Sequence, residues 1–240
     1  MRSDPCDRTV PACKCIAEPR NQAGKPSQKR GGVSVNLMNV LSAALVHLRM
    51  TFLGVLLGCA IGLPTAILLM KHPKLSKGIF YVIDAIQTVP TLAMLTFIML
   101  VFGLNNSTVV AAIFLYSLFP IVRNTFIGLT SMDAGIIRAG RGIGMSPVQV
   151  LTMIRLPLAM PLILSGIRLA VVAALGIATT GVFIGAGGLG MLIWRGIQTR
   201  NTAMMLSGAI PVSVLAVFFE YLLGYVEKRL TNNNHMEVKT

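Results

Sequence analysis

Long uncharged stretches dominate the hydrophobic pattern of this chain. Met50 to Met70, Ala85 to Val122, Leu169 to Trp194 and Asn201 to Phe219 contain no Asp, Glu, Lys or Arg. Each reaches or exceeds the roughly 18 residues that a membrane-spanning helix requires. Ala85 to Val122 is too long for one crossing, and "GLNNS" (Gly103 to Ser107) divides it with residues that favour turns and disfavour lipid. The pattern therefore predicts an all-α integral membrane protein with about five spans, near residues 43–69, 78–103, 107–129, 158–184 and 203–226.

The polar remainder orients these spans, because Lys and Arg are retained on the cytoplasmic side. "KHPKLSK" (71–77) carries three lysines, the segment from Arg123 to Arg155 carries four arginines, and Lys228 and Arg229 follow the last span. "GLNNS" is uncharged, and the 185–200 connection has only Arg195 and Arg200. The expectation is a multi-pass membrane protein, with the N-terminus outside and the C-terminus in the cytoplasm. Composition agrees: 54% of residues are hydrophobic and 12% charged, against roughly a quarter charged in soluble domains. The net charge of +13 is spread over loop ends rather than gathered on one face, so it points to topology and anionic headgroups and not to nucleic acid.

Residues 1–37 are polar, proline-rich and net positive, which predicts a disordered extension that fits poorly with an outside N-terminus. It has no apolar core and is not a signal peptide; an artefactual extension with a true start at Met38 is the expected explanation, and 231–240 reads as a polar tail. Cys6, Cys13 and Cys15 lie in the extension and Cys59 in the first span, a distribution that supports neither a disulfide framework nor a metal site. Catalysis finds no constellation either. His47, His72 and His235 are far apart in this topology, and no serine occupies a G-x-S-x-G elbow. "GAGGLG" (Gly185 to Gly190) fits G-x-G-x-x-G, but it follows a membrane span and lacks an acidic partner about 20 residues on. It reads as a flexible, tightly bent outer turn. No P-loop is present, so no nucleotide or other cofactor is expected.

Within the spans, Gly54, Gly58 and Gly62 form a ridge for close helix approach, either inside the chain or at a subunit interface. Asp84 and Arg168 both fall roughly 10–16 Å in from the cytoplasmic ends of their spans, which makes an ion pair between them possible. Gln87, Thr88, Thr179 and Thr180 are the other intramembrane polar groups; hydrogen bonding between helices is their ordinary role, and lining a polar path the sharper one.

"RAGRGIGMSPVQVLTMIRLP" (Arg138 to Pro157) stands apart as a polar, glycine-broken segment. Asp133 can cap a short helix running to about Ile143, with Arg138 and Arg141 on its basic edge. Gly144 can end it, and Ser146-Pro147-Val148-Gln149 has the form of a capping box opening a second helix. Pro157 and Pro161 are expected to stop or kink the chain as it enters span four. The outcome would be a rigid helix–bend–helix knob outside the lipid.

These residues resemble those of a family. Permease subunits of ATP-binding-cassette (ABC) importers carry E-A-A-x3-G-x9-I-x-L-P in a cytoplasmic loop, and Arg138-Ala139-Gly140, Gly144, Ile154, Leu156 and Pro157 fall on that spacing. "AIQTVPTLAML", "LFPIVRNT", "LPLAMPLILSGIRLA" and "FIGAGGLGMLIWRGI" extend the likeness over about residues 38–230, closest to the osmoprotectant group that serves glycine betaine, carnitine and choline import. The resemblance implies a non-enzymatic permease that pairs with a second permease chain, engages two ATPase subunits through the loop, and receives solute from an extracytoplasmic binding protein. Arg138, Ala139, Gly140, Arg141, Gly144, Ser146, Ile154, Leu156 and Pro157 would then form the ATPase-coupling loop. Arg138 departs from the acidic residue usual at the first position, so an ion pair there would be absent or reversed. No binding domain is expected after span five. Import of another solute, such as an amino acid or ergothioneine, is the alternative within the family, and an ion-coupled secondary carrier the alternative outside it.

Overall fold

The computed structural model describes residues 37–237, and the side chains of all of these except Pro73 and residues 232–237. The expected extension with Cys6, Cys13 and Cys15, and the His235 side chain, lie outside what is described. All regular structure among these residues is helical: α1 (Leu37–Lys71), α2 (Pro73–Thr88), α3 (Thr91–Phe102), α4 (Asn106–Thr130), α5 (Ala134–Gly142), α6 (Pro147–Gln149), a π-helical turn (Val150–Arg155), α7 (Leu156–Thr180), a 3-10 turn (Gly181–Ile184), α8 (Leu189–Gln198) and α9 (Thr202–Glu237). Among the described residues four helical stretches are long and apolar enough to cross a membrane, and α2 with α3 would make a fifth if counted as one bent span.

The core lies where α1, α4 and α7 cross, with Val109, Ala112, Ile113, Ala174 and Ala178 essentially inaccessible. Small residues set these crossings, because helices in lipid associate by close packing rather than by hydrophobic expulsion. The glycine ridge of α1 packs on α4 within the chain. A Cβ added at Gly54 would come within 2.4 Å of Ile113 Cγ2, one at Gly58 within 2.1 Å of Ser117 Oγ, and one at Gly62 within 3.0 Å of Ile121 Cγ2. Both partners thus present every fourth residue to one seam. The α4–α7 crossing is made alike, with Gly166 facing the Pro120 carbonyl oxygen at 2.6 Å from a built Cβ.

Three elements differ from the sequence expectation. The span foreseen over 78–103 is broken: α2 and α3 meet at 101° around Val89-Pro90. Proline removes a backbone donor and holds the preceding residue extended, and Val89 sits at φ −71°, ψ 127°. The carbonyl exposed at the break is recovered, since the Tyr116 hydroxyl donates to Val89 O, and Gln87 Nε2 donates at 2.8 Å to Tyr116 O, the α4 carbonyl that Pro120 leaves without a helical donor. Conversely, Pro157 does not stop the chain. Residues Pro147–Ile184 form one continuous helical stretch, because the wider π turn, closed by Leu156 N–H to Leu151 O, relieves the clash a proline ring makes with the preceding α-turn. Finally, α8 occupies what was expected to be a plain connection; its Leu189 O and Ile193 lie against Gly208 of α9, where a Cβ would come within 2.8 Å of each.

Candidate coupling loop and intramembrane charges

The knob foreseen between spans three and four is formed by α5, the Gly144 turn and α6. Asp133 caps α5 by accepting from Gly135 N–H at 2.7 Å, and Gly144 takes φ +87°, a conformation that a Cβ disfavours. The capping box is complete: Ser146 N–H donates to Gln149 Oε1 at 2.7 Å and Gln149 N–H to Ser146 Oγ at 3.3 Å. Gly140 is the one buried residue of α5. A Cβ there would stand 2.7 Å from Ile154 Cδ1 and 3.3 Å from Met145 Sδ, so the Gly140 and Ile154 of the spaced motif are the two halves of one contact between α5 and the π turn. Leu156 and Pro157 open α7 directly behind it.

Arg155 was not singled out in the sequence. It donates from Nη1 to Leu129 O at 2.8 Å and touches Met70 Sδ at 2.9 Å. One guanidinium therefore ties the root of the knob to the ends of α1 and α4, with a cation at the carbonyl end of α4 where the helix dipole favours it. The only signal in sequence was a basic residue one place before the Leu-Pro of the motif. Outward, the knob is apolar and basic. Ile143 and Val148 are 83% and 67% exposed, and Arg138 and Arg141 are exposed with no ion pair among the described residues. A groove of about 250 Å³ between the knob and the end of α1 is lined by Lys71, Arg141, Val148 and Arg155.

The expected Asp84–Arg168 pair does not form. Asp84 Oδ1 pairs with Arg123 Nη1 of α4 at 3.2 Å, and Arg168 reaches α9 instead, to Glu220 at 3.4 Å and Glu227 at 3.3 Å. Depth along a span fixes height but not direction around the bundle: α2 packs on α4, whereas α7 turns this face to α9. A Cβ at Gly224 would meet Arg168 Nη1 at 3.0 Å, so glycine there leaves the guanidinium room. Of the four uncharged polar groups, Gln87 alone bonds to another helix. Thr88, Thr179 and Thr180 donate to Ala85 O, Leu175 O and Ile177 O of their own helices at 2.7–2.9 Å. The "GAGGLG" turn is tightly bent, with Gly185 at φ +74° and Gly188 at φ +97°, but it is packed rather than loose. Gly187 N–H donates to Asn106 Oδ1 at 2.9 Å, and a Cβ at Gly188 would meet the buried His47 ring at 3.2 Å. Among the described residues, no three His, Cys, Asp or Glu side chains gather to hold a metal ion.

Residues 38–232 match the family of binding-protein-dependent transport system inner membrane components. The chain belongs to that family. This permease is 45% identical over 186 residues to the glycine betaine/carnitine/choline transport system permease protein OpuCD of Bacillus subtilis, covering 77% of this chain and 81% of that one. It is likewise 45% identical over 186 residues to the choline transport system permease protein OpuBD of the same organism, covering 77% and 82%. A chain of the inward-facing MetNI methionine ABC transporter shares its fold, with a TM-score of 0.73 over 82% of this chain and 99% of that one at 21% identity. The permease is thus a multi-pass membrane component of a transport system with separate partners, and its all-α fold with a helical pair beside the spans is that of the family.

Proposed function

We propose that the permease forms the translocation path of an ABC importer for osmoprotectants of the glycine betaine, carnitine and choline class. It pairs with a second permease chain, receives solute from an extracytoplasmic binding protein, and is driven by two ATPase subunits that receive the α5–α6 knob. Its N-terminus lies outside and its C-terminus in the cytoplasm, and Arg138, Ala139, Gly140, Arg141, Gly144, Ser146, Ile154, Leu156 and Pro157 compose the coupling loop. The supporting observation is mechanical. The knob is locked by two caps and the Gly140–Ile154 contact, and it continues through the π turn into α7 as one helical stretch, a route by which displacement at the knob can reach a span. The exposed Ile143 and Val148 supply an apolar anchor for the ATPase cleft, and Arg138 and Arg141 its charged rim. The solute class is supported by the names of OpuCD and OpuBD.

The test is reconstitution of the permease with its ATPase and binding protein in proteoliposomes. ATP-dependent accumulation of labelled glycine betaine or choline is expected. Accumulation on an ion gradient without ATP would sink the mechanism, and ATP-dependent uptake of an amino acid alone would sink the solute class.

A further inference from the structure

A charged pair that stays half-exposed on the spans of a single chain has to meet water, lipid headgroups or another chain, because facing hydrocarbon would cost several kcal/mol per charge. Asp84 and Arg123 are such a pair, with side chains 46% and 49% exposed. They lie on one wall each of a cleft of about 510 Å³ between α2 and α4, well within the roughly 300–1,000 Å³ typical of small-molecule sites. The lining is periodic. Lys77, Phe80, Tyr81 and Asp84 form one stripe of α2, and Arg123 and Phe126 face them from α4.

The chemistry of this lining is specific. Phe80 and Phe126 meet edge to face, with centroids 5.0 Å apart at 71°, and make a corner of two aromatic walls. Tyr81 is 77% exposed on the same stripe and offers a third ring. Asp84 engages Arg123 through one carboxylate oxygen, which leaves the other free to face a cation. Arg123 and Lys77 supply positive charge, with Lys77 seven residues, or roughly 10 Å, along α2 from Asp84. Aromatic faces beside a carboxylate take a quaternary ammonium, and a guanidinium takes a carboxylate.

We propose that the cleft is a transit subsite for trimethylammonium zwitterions, in which Phe80, Tyr81 and Phe126 hold the ammonium beside Asp84 while Arg123 and Lys77 hold the carboxylate. This rests on the solute class proposed above and adds a recognition site on the permease itself, separate from the binding protein. It also separates solutes: glycine betaine and carnitine carry the carboxylate that Arg123 would hold, whereas choline does not.

The test is saturation-transfer NMR on the N-methyl protons of glycine betaine and of choline, added to the purified permease–ATPase complex without binding protein and without phosphatidylcholine. Transfer to both solutes is expected. Tyr81→Leu should weaken both by about threefold to tenfold, while Tyr81→Phe keeps them. Arg123→Gln should weaken glycine betaine several-fold and leave choline within twofold. The double variant Asp84→Asn/Arg123→Gln, which leaves no unpaired charge, should weaken choline through the lost Asp84 charge and weaken glycine betaine further, with assembly verified by co-purification. Absence of transfer to the wild-type complex, no effect of Tyr81→Leu, or equal losses for both solutes in the double variant would overturn the assignment. Displacement of both solutes by added phosphatidylcholine at stoichiometric amounts would assign the cleft to a lipid headgroup and also overturn it. Failure of the solute class would read differently: binding in the cleft would persist while reconstituted vesicles accumulated neither compound.

Discussion

At the scale of residues, the proposed coupling loop turns on Gly140 and Arg155. Gly140→Leu forces a side chain into the space held by Ile154, where even a Cβ would stand 2.7 Å away. The knob must shift off the π turn, and solute uptake by the reconstituted importer is expected to fall at least about tenfold, on the scale by which 1 Å misplacements act in positioned sites. Gly140→Ala should fall between, since the Ile154 contact is with the end of a side chain that can give. Arg155→Ala removes a charge-assisted hydrogen bond to a buried carbonyl, worth about 1.5–3 kcal/mol; a lower unfolding midpoint in detergent checks this, with Arg155→Lys expected to recover part of the loss. The loop residues were legible in sequence because caps and left-handed turns are local: Asp133, Gly144 and Ser146 act within three residues of themselves. Arg155 was not, because its partners at Leu129 and Met70 are 26 and 85 residues away, and nothing local distinguishes it from a charge that merely marks the cytoplasmic side. The same limit explains the mistaken Asp84–Arg168 pair, for which depth was readable and azimuth was not.

At the scale of elements, prolines were legible as positions but not as outcomes. Pro90 breaks a span that the uncharged run from Ala85 concealed, whereas Pro157 sits in a continuous one because a π turn precedes it. Which occurs depends on what packs beside the helix: Tyr116 of α4 bonds the freed carbonyl of Val89 and so fixes the bend. Tyr116→Phe should loosen that bend without unfolding the bundle, seen as faster hydrogen exchange confined to 86–94. The glycine ridge, by contrast, was readable as a ridge but open as to partner until Ile113, Ser117 and Ile121 were found against it. Gly58→Ala places a Cβ 2.1 Å from Ser117 Oγ and is expected to destabilise by about 1–3 kcal/mol as overpacking. Adding Ser117→Ala, which removes that oxygen, should restore most of the loss; a double-mutant cycle on thermal unfolding measures the coupling.

At the scale of the whole molecule, hydropathy delivered the class and four of the spans, since lipid admits so few backbone solutions. It could not deliver α8, whose first residues belong to the same uncharged run as the end of α7, or the continuation of α9 to Glu237, where the polar sequence carries no membrane signal. The proposed orientation has its own check: in a chain freed of other cysteines, Asn105→Cys should react with an impermeant maleimide from outside, and Ile143→Cys only after the cytoplasmic face is opened. The reverse pattern would invert the topology and place the knob away from ATP. ATP-driven movement of solute through this chain by way of the α5–α6 knob is the proposed mechanism. It is tested most directly by glycine betaine uptake into proteoliposomes holding the complete complex, with wild-type and Gly140→Leu permease compared at equal ATPase content. ATP-dependent accumulation by the wild type and its loss in the variant is the expected result; accumulation without ATP, or undiminished uptake by the variant, would contradict it.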